Sequence, residues 1–378
     1  MYIHELSDWP GFDWDRVRLA APLADVRHRQ GRLLGRMEAL GFNLRQEAVL
    51  QTLTADVLKS SEIEAQRLDA EQVRSSIARR LGMDIGALKP ADRNVEGIVE
   101  MMLDATRRYD QPLTGERLFA WHASLFPTGR SGMIKIGTGA WRDDSAGPME
   151  VVSGPIGKER VHFVAPPAAR VGAEMGAFLD WFNADAGIDP VWKAALAHLW
   201  FVTIHPFDDG NGRMARAIAD MALARSENST QRFYSMSAQI RQERNTYYGI
   251  LEQTQKGAMD VTPWMDWFLG CLGRAIDGAQ TTLASVLAKA RFWDAIAGLT
   301  LSPRQRLVVN RCLDGFEGKL TTSKYAKLAK CSQDTALRDI LVLVERGILT
   351  RNPEGGRSTS YALATNFEPK YRRLPDLR

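Results

Sequence analysis

Residues 205–216, HPFDDGNGRMAR, constrain this chain more than any other stretch. Ahead of them, Val191 to Ile204 (VWKAALAHLWFVTI) is apolar on almost every side, the pattern of a helix buried all round. Pro206 disfavours helical backbone at His205 and marks the helix end. Beyond the turn, Met214, Ile218 and Met221 recur at helical spacing with alanines between them, which predicts a second helix. The stretch therefore forms a short loop running into a helix N-terminus.

Such a loop suits anions and proton transfer. Gly210 and Gly212 admit backbone conformations closed to other residues and let a ligand approach the amides, while a helix start offers unpaired N–H groups and the positive end of a dipole. Arg213 adds a guanidinium fork for phosphate oxygens, and Asn211 an amide. Asp209 supplies the kind of carboxylate that Mg2+ takes when water and substrate phosphates complete its shell. His205 titrates near neutrality, which suits a general base. Two other loop types are excluded: no GxxxxGK(S/T) occurs here, and neither Asp208 nor Asp209 starts the ligand alternation of an EF-hand.

His205, Phe207, Asp209, Gly210, Asn211, Gly212, Arg213 and Arg216 match every defined position of HxFx(D/E)GNGRxxR, and here the chain resembles the Fic (Fido-domain) family. The resemblance implies an all-helical core and a protein adenylyltransferase that moves AMP from ATP to a Ser, Thr or Tyr hydroxyl of a target protein. It implies His205 as the base and Asp209 as the Mg2+ ligand. Gly210, Asn211, Gly212, Arg213 and Arg216 would surround the phosphates, with Phe207 anchoring the loop. Tyr247 and Tyr248, in YYGILEQTQ, fall where family members border the nucleobase, although paired aromatics equally suit a core. Transfer of this type rests mostly on positioning and electrostatic stabilisation.

Family members also carry a β-hairpin flap that clamps the target by strand addition. Residues 149–167 fit it. Val151 and Val152 form a β-branched run continued by Ser153, a turn starts at Gly154, and Val161, Phe163 and Val164 return before Pro166-Pro167. An ordinary structural hairpin has the same pattern. Upstream, Ser60 and Glu64 in KSSEIEA resemble an inhibitory pattern, (S/T)xxxE(G/N), which here ends in Ala65. Its Glu pairs with the second signature arginine, Arg216 here, and blocks seating of the ATP γ-phosphate. A carboxylate on Arg216 would repel a triphosphate and occupy its guanidinium partner. The plain alternative is a solvated acidic helix face continuing through Gln66, Arg67, Asp69 and Glu71.

At 45% hydrophobic and 25% charged residues over 378 positions, the composition is that of an ordinary soluble protein long enough for two or three domains. Cys271, Cys312 and Cys331 lack CxxC spacing, which argues against a disulfide framework or zinc cluster and predicts buried thiols. No basic stretch followed by an apolar run opens the chain, and no apolar run is long enough for a membrane span, so a cytoplasmic protein is expected. The expected organisation is mainly α. A helical region with the inhibitory pattern covers 1–94, the Fic-like core 95–272, a helical linker 273–301 and a further domain 302–378.

In that last domain, Pro303 to Leu313, Thr321 to Ala329 and Ser332 to Arg346 read as helices, with hydroxyls at Thr322 and Ser332 for helix starts. The third helix carries Leu337, Leu341 and Val344 on one face, and residues 347–363 read as a small hairpin. The order resembles a winged helix-turn-helix. Residues 303–378 hold 15 Lys/Arg against 8 Asp/Glu, which makes DNA an expected partner through Lys324, Lys327, Arg338 and Arg357. Winged helices also serve as dimer or protein-docking modules, which keeps a homodimer open. The alternative function is therefore a DNA-binding regulator whose Fic-like core senses a nucleotide or removes AMP.

Overall fold

The computed structural model describes residues 1–85, 88–145, 147–155, 157–185, 187–313, 318–353 and 359–364. They are mainly helical, and they divide into two compact units, one of residues 1–83 with 88–282 and another of 283–378 with 84–87. In the first unit, polar side chains just ahead of the helices accept from first-turn amides that have no partner within the helix. Asp15 does so for α1 (Arg16–Glu38), which is followed by α2 (Phe42–Ile63). Asp69 caps α3 (Ala70–Arg80), Asp92 caps α4 (Arg93–Arg107) and Thr114 caps α5 (Gly115–Leu125). Gly97 lets α4 lie directly on α5, since a Cβ there would run into the Ser124 carbonyl.

Two antiparallel hairpins follow, β1 (Arg130–Ser131) with β2 (Ile134–Lys135) and β3 (Glu150–Ser153) with β4 (Arg160–Val164). The helical core resumes with α6 (Ala168–Asn183), α7 (Pro190–Ile204) and α8 (Asn211–Glu227). Every α7 residue from Ala194 to Ile204 is buried, and so is all of α8 from Met214 to Ala224. Helix α7 therefore lies inside the unit, as its unbroken apolarity predicts, and α8 packs beside it. Then come α9 (Met236–Gln242), α10 (Arg244–Gln255) and α11 (Thr262–Ala295), with Trp264 Nε1 donating to the Ala195 carbonyl of α7 at 2.9 Å.

The N-terminal helices are part of this unit, which revises the separate region expected over 1–94. Arg27 of α1 pairs with Asp189 at the start of α7 at 2.9 Å, and Gln30 donates to Glu227 at the end of α8 at 2.7 Å. Asp56 of α2 accepts from the Ser235 hydroxyl and from Ser237 N at the start of α9. Behind these contacts, buried Arg232 pairs with buried Asp220 of α8 at 2.8 Å. Burial and the nearby Asp56 carboxylate push Asp220 well above the usual carboxylate range. The expected linker over 273–301 is likewise not a separate segment, because Thr262–Ala295 is one helix whose residues up to Thr282 belong to the first unit.

The second unit runs α12 (Pro303–Leu313), β5 (Leu320–Thr321), α13 (Thr322–Ala329), α14 (Gln333–Glu345), β6 (Leu349–Arg351) and β7 (Ser360–Leu363). Its strands form an antiparallel sheet in the order β5-β7-β6, and β5 went unseen in the sequence because two residues carry no periodicity. Thr321, not Thr322, caps α13 by accepting from Lys324 N, while Ser332 caps α14 as expected. The inward face of α14 is Ala336, Ile340 and Leu343, so Leu337 and Leu341, one residue on, are exposed and Val344 is half-buried. Arg357 lies outside the described residues. Among the three thiols only Cys271 is fully buried, Cys312 and Cys331 being half-buried. Among the described residues, no helix is long and apolar enough to cross a membrane.

Candidate active site

His205 ends α7 in a left-handed conformation, φ 52° and ψ 58°, which turns the chain out of the core and into the loop. Its Nδ1 donates to the Val202 carbonyl at 3.2 Å, which leaves Nε2 as the basic nitrogen. Burial pushes the imidazole down to about 4, so it is neutral at physiological pH. Arg142 holds the loop from the other side, its Nε donating to the His205 carbonyl at 2.8 Å and its backbone N–H to the Pro206 carbonyl at 2.9 Å. Phe207 is fully buried and stacks on His122 with centroids 4.3 Å apart.

Asn211 has a different position from the one expected. It is buried, and it clasps Phe207 in both directions, accepting from Phe207 N at 3.0 Å and donating to the Phe207 carbonyl at 2.7 Å. Its side-chain amide fixes the loop. Gly210 takes φ +82° as the residue before α8, with Phe126 and Leu125 packed where a side chain would project. The next amides, those of Asn211, Gly212 and Arg213, precede the first intrahelical bond, from Met214 N to the Gly210 carbonyl at 3.0 Å. This is a helix start with N–H groups to spare for an anion.

Asp209 projects from the loop half in solvent. One oxygen accepts from Gly210 N at 2.5 Å, the other from the Ser131 hydroxyl of β1, and His122 Nε2 donates to its carbonyl at 3.2 Å. Burial pushes His122 down to about 4, so it too is neutral. Nothing in local spacing points to Ser131 or His122, which lie far from the loop in sequence. Among the described residues no three His, Cys, Asp or Glu side chains form a closed metal cage. A lone accessible carboxylate beside an anion site nevertheless fits Mg2+, which prefers oxygen ligands and completes its shell from water and phosphate.

The two arginines are buried and engaged by one segment. Arg216 donates through Nε to the Ser60 hydroxyl at 3.0 Å, and through Nη2 to the Ser60 carbonyl at 3.0 Å and to Glu64 Oε1 at 2.8 Å. Glu64 sits at the C-cap of α2. It approaches the turn where Gly212 leaves room, since a Cβ on Gly212 would strike Glu64 Oε1. Arg213 donates to Gln66 Oε1 at 3.0 Å and lies over the Phe126 ring. Arg213 Nε and Arg216 Nη1 are buried with no hydrogen-bond partner among the described residues.

Tyr247 and Tyr248 part company. Tyr247 is a core residue, its hydroxyl 2.9 Å from buried His198 Nε2, while Tyr248 lies over Arg244 with its hydroxyl 3.5 Å from Glu64 Oε2. In the β3–β4 hairpin, Val151 is half-buried and Val152, Ser153 and Gly154 are exposed, leaving Gly154 at φ +108° free to turn. A bulge beside Val151 and Val152 makes His162 the extra residue of β4. His162 Nε2 lies 2.6 Å from the Ser153 hydroxyl, and Nδ1 lies 2.7 Å from Glu252 of α10. Glu252 is held down to about 2 by Lys256 and His162, so it remains a carboxylate. The hairpin is thereby tied to the helix that carries Tyr248.

A family model described as "Fic/DOC family" matches residues 112–223, a span that includes the whole loop, its His122, Ser131 and Arg142 supports, and the hairpin. Over these residues the chain is similar to the Fic/DOC family. A second model, a domain of unknown function (DUF4172), matches residues 2–83, the segment that supplies Glu64 and Gln66. A protein adenylyltransferase Fic of Nematostella vectensis is 37% identical over 123 residues, which is 31% of this chain and 27% of the relative. One of Drosophila willistoni is 33% identical over 116 residues, 30% of this chain and 22% of the relative. The chain thus spans about a quarter of the length of the curated relatives it matches. Among solved structures, a Fic family protein from Desulfovibrio desulfuricans has a TM-score of 0.53 at 22% identity, covering 93% of this chain and 97% of that one. A Fic-domain-containing signalling protein from Bacteroides thetaiotaomicron has a TM-score of 0.51 at 19% identity, covering 69% and 97%. Both share their fold with this chain.

The clasp at Asn211 generates a test. In Asn211→Ala the buried Phe207 N–H and carbonyl lose their side-chain partner, an expected cost of about 1–3 kcal/mol per unsatisfied group. Urea titration should give a lower midpoint with an unchanged slope, and an unchanged midpoint would remove Asn211 as the fastener of the loop.

Proposed function

We propose that the Fic domain transfers AMP from ATP to a hydroxyl side chain of a target protein, and that Glu64 restrains it. The observation that carries this reading is the single loop in which a neutral His205, an accessible Asp209 and the open start of α8 stand together above Arg213 and Arg216. His205 Nε2 takes the proton from the attacking hydroxyl. The oxygen bonds to the α-phosphorus, the bond to the pyrophosphate oxygen breaks, and pyrophosphate leaves. The α8 amides and Arg213 hold phosphate oxygens. Asp209 would hold Mg2+, whose charge supports the phosphates as negative charge builds on the leaving group. The exposed edge residues Val152 and Ser153 offer a strand for the target segment.

Glu64 stands against this reaction. Its carboxylate satisfies Arg216 and brings negative charge to the turn that a triphosphate would occupy. Glu64→Gly is expected to raise label transfer from ATP to protein, and His205→Ala to abolish it while nucleotide binding persists. With a base held near 4, transfer should stay flat from pH 8 down to about 6 and fall only as pH approaches 4. The sign follows from the depressed pKa: neutral His205 predominates above about 4 and is lost below it. Unchanged or lower transfer in Glu64→Gly would sink the restraint, and equal transfer by His205→Ala would remove the base.

The second unit carries a separate proposal, that it is a winged helix-turn-helix that binds DNA. Its element order and the β5-β7-β6 sheet support this, as do the exposed Lys324, Lys327 and Arg338 around α13 and α14. Affinity for duplex DNA should fall steeply between 50 and 200 mM salt, as in counterion release. An absent or salt-insensitive gel shift would instead point to a protein partner at exposed Leu337 and Leu341.

A further inference from the structure

The end of α2 is built with one residue out of place for its backbone. Ala65 N–H donates to the Glu62 carbonyl at 3.1 Å and Gln66 N–H donates to the Ser61 carbonyl at 3.0 Å. Those two bonds are the Schellman closure of a helix, with Glu64 at the C-cap, Ala65 at the following position and Gln66 next. The closure requires a left-handed residue at the middle position, and Ala65 sits at φ 58°. Glycine adopts that conformation without strain and asparagine with little, whereas an alanine Cβ crowds the backbone. The closure is nevertheless what aims the two flanking side chains. Glu64 reaches Arg216 at 2.8 Å and Gln66 reaches Arg213 at 3.0 Å. From the other side, Arg244 Nε donates to the Ile63 carbonyl at 2.9 Å and holds the last turn in place.

We propose that Glu64, Ala65 and Gln66 form a two-pronged latch in which Gln66 is a second inhibitory residue, on Arg213, and Ala65 is a built-in strain that keeps the latch releasable. The proposal rests on the anion-binding reading of Arg213 and Arg216 given above. A triphosphate needs Arg213, and Gln66 occupies one Nη of that buried guanidinium. The amide carries no charge, so its effect is occupancy of the donor rather than repulsion. Opening the Schellman turn withdraws both prongs at once and lets Ala65 return to an ordinary backbone conformation.

The pieces give opposite signs, which a merely structural role would not. Titrating Mg·ATP into the full chain by calorimetry, Gln66→Ala should bind about ten-fold to a hundred-fold more tightly than wild type, the range set by one lost hydrogen bond to a charged group. Ala65→Gly removes the strain only in the latched form, so it should bind ATP about five-fold more weakly while melting at a higher temperature. Gln66→Glu should also bind more weakly, a second carboxylate now facing the phosphates. Unchanged affinity in Gln66→Ala, or unchanged or tighter binding in Ala65→Gly, overturns the latch; if Gln66→Ala fails to fold, the other two variants decide it. Affinities that shift as stated with no AMP transfer in any variant would remove the transfer reading and leave the latch. Transfer with unchanged affinities would do the reverse.

Discussion

A buried guanidinium cannot be left without acceptors, and in this fold that requirement falls on Arg216. Helix α8 is buried along most of its length, so its second signature arginine points into protein rather than solvent. The three acceptors it meets among the described residues come from α2 and its cap: the Ser60 hydroxyl, the Ser60 carbonyl and Glu64. The α2–α8 contact is thus a means of satisfying a buried charge. Desolvation is the largest influence on Arg216 and opposes its charge, but Glu64 with Tyr247 and Tyr248 together outweigh it, so its pKa is raised rather than lowered.

Much of the surrounding structure keeps that contact in register. Asp56 ties the middle of α2 to the start of α9, and Arg244 ties its last turn to α10. On the loop side, Arg142 grips the carbonyls of His205 and Pro206, and Asn211 grips Phe207. His205 and the start of α8 are thus held by buried side chains, Arg142 and Asn211. A neutral His205 follows from the same arrangement, because a loop anchored this deep desolvates the imidazole.

The sequence made some of this legible. The end of α7 at His205, the start of α8 within the glycine turn and the β3–β4 hairpin follow from proline, glycine and periodicity, which are local signals. Glu64 facing Arg216 came from a short pattern whose meaning depends on three-dimensional placement. What stayed hidden was long-range. Ser131 and His122 on Asp209, Gln66 on Arg213 and Glu252 on His162 join residues that no spacing rule relates. Asn211 and Tyr247 fell on positions where one residue type serves either a ligand or a core, and burial decided for the core. The departure at Ala65 was visible in the sequence, but its physical content, a left-handed backbone at a helix end, appears only in the φ angle.

The central claim is that the α2 terminus and a bound triphosphate exclude one another. Hydrogen exchange of the amides of Glu64, Ala65 and Gln66 reads this directly, because each donates to a carbonyl of the last turn of α2. With saturating Mg·ATP the account predicts that these amides exchange faster while those of α7 do not change. Equal or slower exchange at the three amides with nucleotide bound would contradict it.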